Sequence, residues 1–261
     1  MMLQREDADG RSPMTDDLIG RRRLYLMRHG HVDYFRPGLI DFTSVPLTDE
    51  GREQASRAGK ALQGVSFDHA FHSGLRRTEE TLGLVLDETG QDPPVDAIDG
   101  FAEIRGGRAR AKTPVELAAR LAFAFDDAGA EGASFLPGGE LFRDAETRIV
   151  AALDDLLHAR RWRTALLVAH EGVNRILLAH LTGGGLSALS HFEQDLCAIN
   201  VLDFDIVPAE RGEGTKLERV ILKAVNVTAH DPVKEGLPRT SLEHLFGIDF
   251  GGARPEGLRD E

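Results

Sequence analysis

The sequence predicts an α/β fold, a three-layer α/β/α sandwich on a mostly parallel sheet, with an antiparallel edge strand and a helical lid insertion. Three observations predict it. Short apolar runs alternate with longer stretches at helical spacing. Two late apolar runs, separated by a segment holding Gly212 and Gly214, read as a hairpin at a sheet edge. The predicted parallel strands end in Arg28-His29, in His72-Ser73-Gly74 and in His170, and open α/β sheets place their sites at such strand ends.

The elements follow in order. Residues 1–20 are polar and mixed in charge, which predicts a flexible tail and no secretory signal. Arg21-Arg22-Arg23 leads into Leu24–Met27 as a first strand, and the three arginines are expected to form a solvated strand entry. Thr48 can cap a helix reaching about Gln63, with Asp49 and Glu50 in its first turn. Asp68–His72 reads as a second strand and Leu75–Glu88 as a second helix. After the Asp92-Pro93-Pro94 break, Val95–Ile98 reads as a third strand. Thr113-Pro114-Val115-Glu116 starts a further helix: Thr caps, Pro suits the first turn and Glu takes the capping-box position. Beyond Pro137-Gly138-Gly139, the residues Leu141, Ala145, Ile149, Leu153 and Leu156 share one helical face. Ala165–Ala169 is a buried strand, and Val173–Leu181 is a helix stopped by Gly183-Gly184-Gly185. Ala198–Ile206 and Leu217–Val227 form the hairpin, with Cys197 expected as inert core. The domain plan is a tail over 1–20, a catalytic domain over 21–231 with a lid near 104–137, and an extension over 232–261. The extension shows little pattern beyond Leu242, Leu245 and Phe246.

Composition narrows the function classes. A chain of 261 residues can bury a sizeable core as one α/β domain. A single cysteine excludes an internal disulfide framework and suits a reducing, cytoplasmic setting. No apolar run approaches the ~18 residues needed to span a membrane. Lys plus Arg is 31 and Asp plus Glu is 43, a net charge of −12, which disfavours nucleic acid and anionic lipid as partners. A homodimer through a helix face is compatible with the sequence but has no motif behind it.

Several distant segments share one order. They are Leu26-Met27-Arg28-His29-Gly30; Pro46-Leu47-Thr48-Asp49-Glu50-Gly51-Arg52-Glu53-Gln54-Ala55; Ser73-Gly74-Leu75-Arg76-Arg77-Thr78-Glu79-Glu80-Thr81; Pro137-Gly138-Gly139-Glu140; Val168-Ala169-His170-Glu171-Gly172; and Asn226-Val227-Thr228-Ala229-His230. Together, over roughly residues 23–231, they resemble the histidine phosphatase superfamily, the phosphoglycerate mutase-like fold. The resemblance implies that His29 is the phosphorylated histidine and Arg28 and Arg77 the phosphate-binding arginines. It makes His170 the second essential histidine and Glu103, in Phe101-Ala102-Glu103-Ile104-Arg105, the general acid. It also implies a substrate pocket lined by Arg28, Gly30, His31, Arg77, His170, Glu171 and Gly172, with neither cofactor nor metal.

The chemistry agrees with those residue types. A phosphomonoester is dianionic near neutral pH and repels a nucleophile, and two guanidiniums bind its oxygens in fork geometry and offset that charge. A neutral imidazole is nucleophilic at pH 7 without a metal and can carry the phosphoryl group. Protonated His170 would donate to a phosphoryl oxygen, and Gly30 would leave room for phosphate to approach the backbone. One carboxyl group can protonate the leaving alkoxide and then deprotonate the attacking water. Taken singly, Arg28 and Arg77 read as ion-paired arginines, His29 and His170 as structural histidines, and Glu103 as a solvent-facing carboxylate. His29 and His31 lie two apart without a matching carboxylate cluster, so they do not read as a metal pair. His69, His72, His158, His180, His191 and His244 have no evident partner, and His230 reads as a structural contact. Glu140 reads as a helix start.

The departures from the family pattern carry information. Val32 and Phe35 stand where the family often has Thr or Ser and Asn, so phosphate donors are expected elsewhere, from His31, Tyr34 or Arg36. Phe35 would meet an apolar substrate tail or join the core. The mutase block Glu-Arg-His-Tyr-Gly is replaced by Glu103-Ile104-Arg105-Gly106-Gly107. The expectation is a metal-independent phosphomonoester hydrolase for a small ester. The alternatives are a phosphoglycerate mutase or a non-catalytic phosphate-binding domain.

Overall fold

A computed structural model describes residues 18–255, apart from 36, 37, 39, 40, 42, 109, 110, 112 and 211–213. Its strands are β1 (Gly20–Arg28), β2 (His69–His72), β3 (Val95–Ala97), β4 (Thr164–Ala169), β5 (Ile199–Pro208) and β6 (Thr215–Val227). Its helices are α1 (Asp49–Ala61), α2 (Arg76–Thr89), α3 (Pro114–Ala122), α4 (Phe142–His158), α5 (Glu171–Leu181) and α6 (Ser241–Phe246). One sheet runs in the order β3-β2-β4-β1-β5-β6. The pairs β1/β4, β2/β4 and β2/β3 are parallel, and β1/β5 and β5/β6 are antiparallel. The predicted sandwich with a mostly parallel sheet and an antiparallel hairpin at one edge is what forms.

Strand alternation builds two cores from one sheet. Leu24, Leu26, Phe71 and Leu167 point to the face covered by α4 and α5, where Ile149, Leu153, Val173 and Leu177 meet them. Met27, Ala70, Leu166 and Val168 point to the other face, against Ala55 and Ala58 of α1 and Leu82 and Val85 of α2. Each fully buried leucine of β4 contributes about 1.5–3 kcal/mol by leaving water. The predicted caps form: the Thr48 hydroxyl accepts from the Gly51 N–H, and that of Thr113 from the Glu116 N–H. The exposed edge strand β6 carries Lys216, Glu218, Arg219 and Lys223, charges that discourage pairing with another chain. Among the described residues no helix is long and apolar enough to cross a membrane.

Five expectations change. β1 begins at Gly20, one residue inside the expected tail. Arg22 is not solvated: it is fully buried, lies over the Trp162 ring at 5.2 Å, and donates to the carbonyls of Arg160 and Leu18. Burial lowers its pKa to about 10. Its neighbours Arg21 and Arg23 pair with Asp205 and Asp203. The buried stripe of α4 starts at Phe142, while Leu141 is exposed ahead of the helix. Cys197 is buried as expected, but it occupies a left-handed turn before β5 (φ 53°) and lies outside the strand. Its thiol pKa is pushed up to about 12 by burial. The C-terminal segment is more ordered in pattern than expected, since Thr240 and Glu243 form a reciprocal capping box on α6.

Candidate active site

Sheet register places the two histidines. Arg28 of β1 lies opposite Ala169 of β4, so the next residue of each strand, His29 and His170, leaves the sheet beside the other. Their ring centroids are 5.2 Å apart at 65°. β2 ends at His72, and Ser73, Gly74 and Leu75 turn the chain into α2, with Gly74 in the left-handed region (φ 83°). That turn carries Arg77 inward in the first turn of α2.

His29 is 2% exposed. Its Nδ1 lies 2.8 Å from the Gly30 carbonyl, which can only accept, so Nδ1 carries the proton and Nε2 keeps its lone pair. Arg77 Nε donates to that Nε2 at 3.3 Å. Burial, then the charges of Arg77 and Arg28, hold the imidazole pKa well below 6.5. His170 is fully buried, with Nε2 2.6 Å from Ser73 Oγ. Burial, Arg77 and His29 depress its pKa too. His170 Nδ1 and Arg28 Nε are buried without a hydrogen-bond partner among the described residues.

Arg28 is clamped at its fork. Nη1 donates to the Gln194 carbonyl at 2.5 Å, and Nη2 meets Glu171 Oε2 at 3.0 Å. The Gln194 amide is fixed in turn by Asn174 and Asn200. Asn226, from the late family-like segment, bonds both Asn200 and Asp195 beside Gln194. Glu171 has Arg28 on one oxygen and Arg175 on the other. An anion so engaged repels a phosphate, and Glu171 reaches the pocket through Arg28; the expectation of direct substrate contact does not fit it.

Glu103 joins the same cluster. One carboxylate oxygen accepts from the Ile104 N–H at 2.9 Å, and the other lies 3.5 Å from the Gly172 N–H. Burial raises its pKa, with the Ile104 N–H and Arg77 opposing. Glu103 is thus half-buried, with its carboxylate turned to the Ile104 and Gly172 amides. Its segment is braced from below. Buried Glu140 pairs with Arg148 through both oxygens, at 3.0 and 2.9 Å, and accepts from the Arg105 N–H. Arg148 also donates to the carbonyls of Gly100 and Ala102. A Cβ on Gly172 would come 2.6 Å from Ile104 Cδ1 and 2.8 Å from Glu103 Oε1, so a side chain there would push both away from α5.

Other expected residues fall around this cluster. A Cβ on Gly30 would lie 2.5 Å from the Gly51 carbonyl, so the space that glycine opens is filled by α1, not kept for phosphate. His31 Nδ1 meets the Thr48 hydroxyl at 2.8 Å. Val32 is buried with Val45 and Leu47 in a small apolar cluster. Phe35 is 58% exposed and outside the core. Tyr34 brings its ring to 5.9 Å from the Arg77 guanidinium, and burial raises its phenol pKa against the pull of Arg77. Arg36 lies outside the described residues. Sequence reasoning missed Ser73, Gln194, Asn174, Asn200 and Arg148 as supports of the cluster. Ser73 sat inside a quoted motif and could have been found there; Gln194 acts through a backbone carbonyl, which leaves no side-chain signature.

A model of the histidine phosphatase superfamily (branch 1) matches residues 24–207. The chain belongs to that superfamily. Among similar histidine phosphatase superfamily proteins, the adenosylcobalamin/alpha-ribazole phosphatase of Escherichia coli is 30% identical over 188 residues, spanning 70% of this chain and 90% of the relative. A 2,3-bisphosphoglycerate-dependent phosphoglycerate mutase of Cytophaga hutchinsonii is 26% identical over 187 residues, spanning 69% and 87%. The crystal structure of the alpha-ribazole phosphatase from Shigella flexneri superposes with a TM-score of 0.58 at 27% identity, covering 78% of this chain and 96% of that one.

Two buried neutral histidines give this superfamily member a pH-dependent stability. The folded pKa values of His29 and His170 lie below the unfolded value of about 6.5. The unfolded chain therefore binds more protons below pH ~6.5, so stability is full above that value and falls as the pH drops toward the folded pKa values. Two such groups give a slope of at most about 3 kcal/mol per pH unit, which the raised pKa of Glu103 offsets in part. Urea unfolding is expected to show lower stability at pH 5.5 than at 7.0, with the loss about halved in His170→Asn. A flat profile between those pH values would contradict the assignment.

Proposed function

We propose that the protein is a phosphomonoester hydrolase in which His29 Nε2 attacks the phosphorus of a small ester. The observation that carries this reading is a neutral, Nδ1-protonated His29 whose Nε2 faces Arg77, in one cluster with the half-buried Glu103, whose pKa is raised. His29 would form the N–P bond as the ester P–O bond breaks, and Glu103 would give its proton to the leaving oxygen. Water would then attack phosphorus, Glu103 would take a proton from it, and the N–P bond would break to release phosphate. Arg28, Arg77 and His170 would hold the phosphoryl oxygens throughout. Burial of His29, Arg28, Arg77 and His170 favours a small substrate, and the segment over 113–139 would shape what enters.

Mutase relatives keep the second reading open: the phosphoryl group would return to a phosphoglycerate rather than pass to water. Turnover of p-nitrophenyl phosphate, 3-phosphoglycerate and alpha-ribazole phosphate in the presence of chelator separates the two. Hydrolysis that is insensitive to chelator and to a 2,3-bisphosphoglycerate primer is the expected result. Interconversion of phosphoglycerates that depends on the primer, with negligible release of phosphate, would overturn the hydrolase reading.

A further inference from the structure

The C-terminal segment reaches into the Arg28 cluster from outside the family-matched region. Ser241, the first residue of α6, donates its hydroxyl to Glu171 Oε1 at 2.8 Å, and its N–H donates to Glu193 Oε1 at 3.1 Å. Arg175 spans the same two carboxylates at 2.8 and 3.0 Å. Glu171 Oε2 holds Arg28. A continuous hydrogen-bonded path thus runs from Ser241 through Glu171 to the guanidinium of Arg28.

The segment is anchored so that Ser241 stays in place. Thr240 and Glu243 cap α6, Leu242 is buried in the main core, and Glu243 also accepts from the Phe250 N–H. α6 packs on α3, the Phe250 ring lies 5.7 Å from that of Phe123, and Arg254 pairs with Asp127. Residues 240–254 all lie beyond residue 207, where the family match ends. This chain has Glu171 directly after His170, and the extension supplies a partner for that carboxylate.

We propose that Ser241 is a positioning residue for phosphate binding, acting through Glu171 on Arg28. This rests on the reading of Arg28 as a phosphate ligand. A carboxylate oxygen that bonds Ser241 and Arg175 has little freedom to rotate, so its partner oxygen presents Arg28 in one orientation. Phosphate then meets a pre-set guanidinium instead of one that must be ordered on binding. The effect belongs to the phosphoryl group, which is bound in ground state and transition state alike, so it appears in KM and in phosphate affinity more than in kcat.

The test measures KM and kcat for p-nitrophenyl phosphate, and calorimetric binding of inorganic phosphate, in four variants: Ser241→Ala, Ser241→Thr, Arg28→Gln and the double variant Arg28→Gln/Ser241→Ala. We expect Ser241→Ala to raise KM and the phosphate Kd about 5–10-fold with kcat changed less than about 3-fold, on the scale of one lost hydrogen bond to a charged group. Ser241→Thr keeps the hydroxyl and should stay near wild type. Arg28→Gln should weaken phosphate further, and adding Ser241→Ala to it should cost almost nothing, because the path then has no end. Unchanged KM and Kd in Ser241→Ala, or a full additive loss in the double variant, would overturn the role of Ser241 while leaving Arg28 intact. If Arg28→Gln itself binds phosphate like wild type, the underlying reading of Arg28 fails, and Ser241 falls with it.

Discussion

Replacing His29 with alanine is expected to lower turnover of an aryl phosphate by about 10⁴-fold or more, and to abolish any trapped phosphoenzyme. The size follows from what the side chain is placed to do. Its Nε2 carries a lone pair that faces the guanidinium of Arg77, with its proton on the opposite nitrogen. The Nε2 of His170 is engaged by Ser73 instead. Removing the imidazole leaves the arginines able to bind phosphate, so inorganic phosphate should still bind while chemistry stops. The measurement is rapid quench with a ³²P-labelled ester, followed by acid and alkali treatment. Label that survives alkali and is lost in acid marks an N–P bond, and it should be absent in His29→Ala. Retained turnover in the variant would remove His29 as the nucleophile.

Glu103→Gln is the second large effect. An amide cannot supply a proton, so hydrolysis of an alkyl phosphate should fall about 10²–10⁴-fold. An aryl ester with an acidic phenol leaves without help and should lose far less. That contrast separates an acid from a group that merely shapes the pocket. The pH profile gives the same answer independently. Burial raises the Glu103 pKa, and the acid must be protonated at the start, so wild-type kcat/KM should decline as the pH rises through that shifted value. The variant should lose this alkaline limb. Equal losses for alkyl and aryl esters would leave Glu103 structural.

The sheet was legible because its central strands are apolar on both faces. Leu24–Met27 and Ala165–Ala169 are runs that fit a doubly covered strand, the first followed by Arg28-His29 and the second by His170. The site residues at those ends could be listed from sequence, and the structure brings His29, Arg28, Arg77, His170 and Glu103 into one cluster. The supports could not be listed. Arg22 looked solvated because nothing local announces Trp162 beneath it, 140 residues on. Ser241 opens a six-residue helix, too short for periodicity to speak, and its partner Glu171 lies 70 residues earlier. The freedom of Gly30 was read as room for a ligand, when the neighbouring turn of α1 already uses it. In each case the deciding contact is between segments far apart in the chain.

The register of β1 against β4 has a thermodynamic consequence for the reacting pair. His29 and His170 leave two adjacent, hydrogen-bonded strands at the same level, so their separation is fixed by the ladder and not by a loop. The orientational entropy of bringing nucleophile and partner together is lost once, when the chain folds, and not again at each turnover. The spacing of the two rings is thus inherited from the central strands of the sheet.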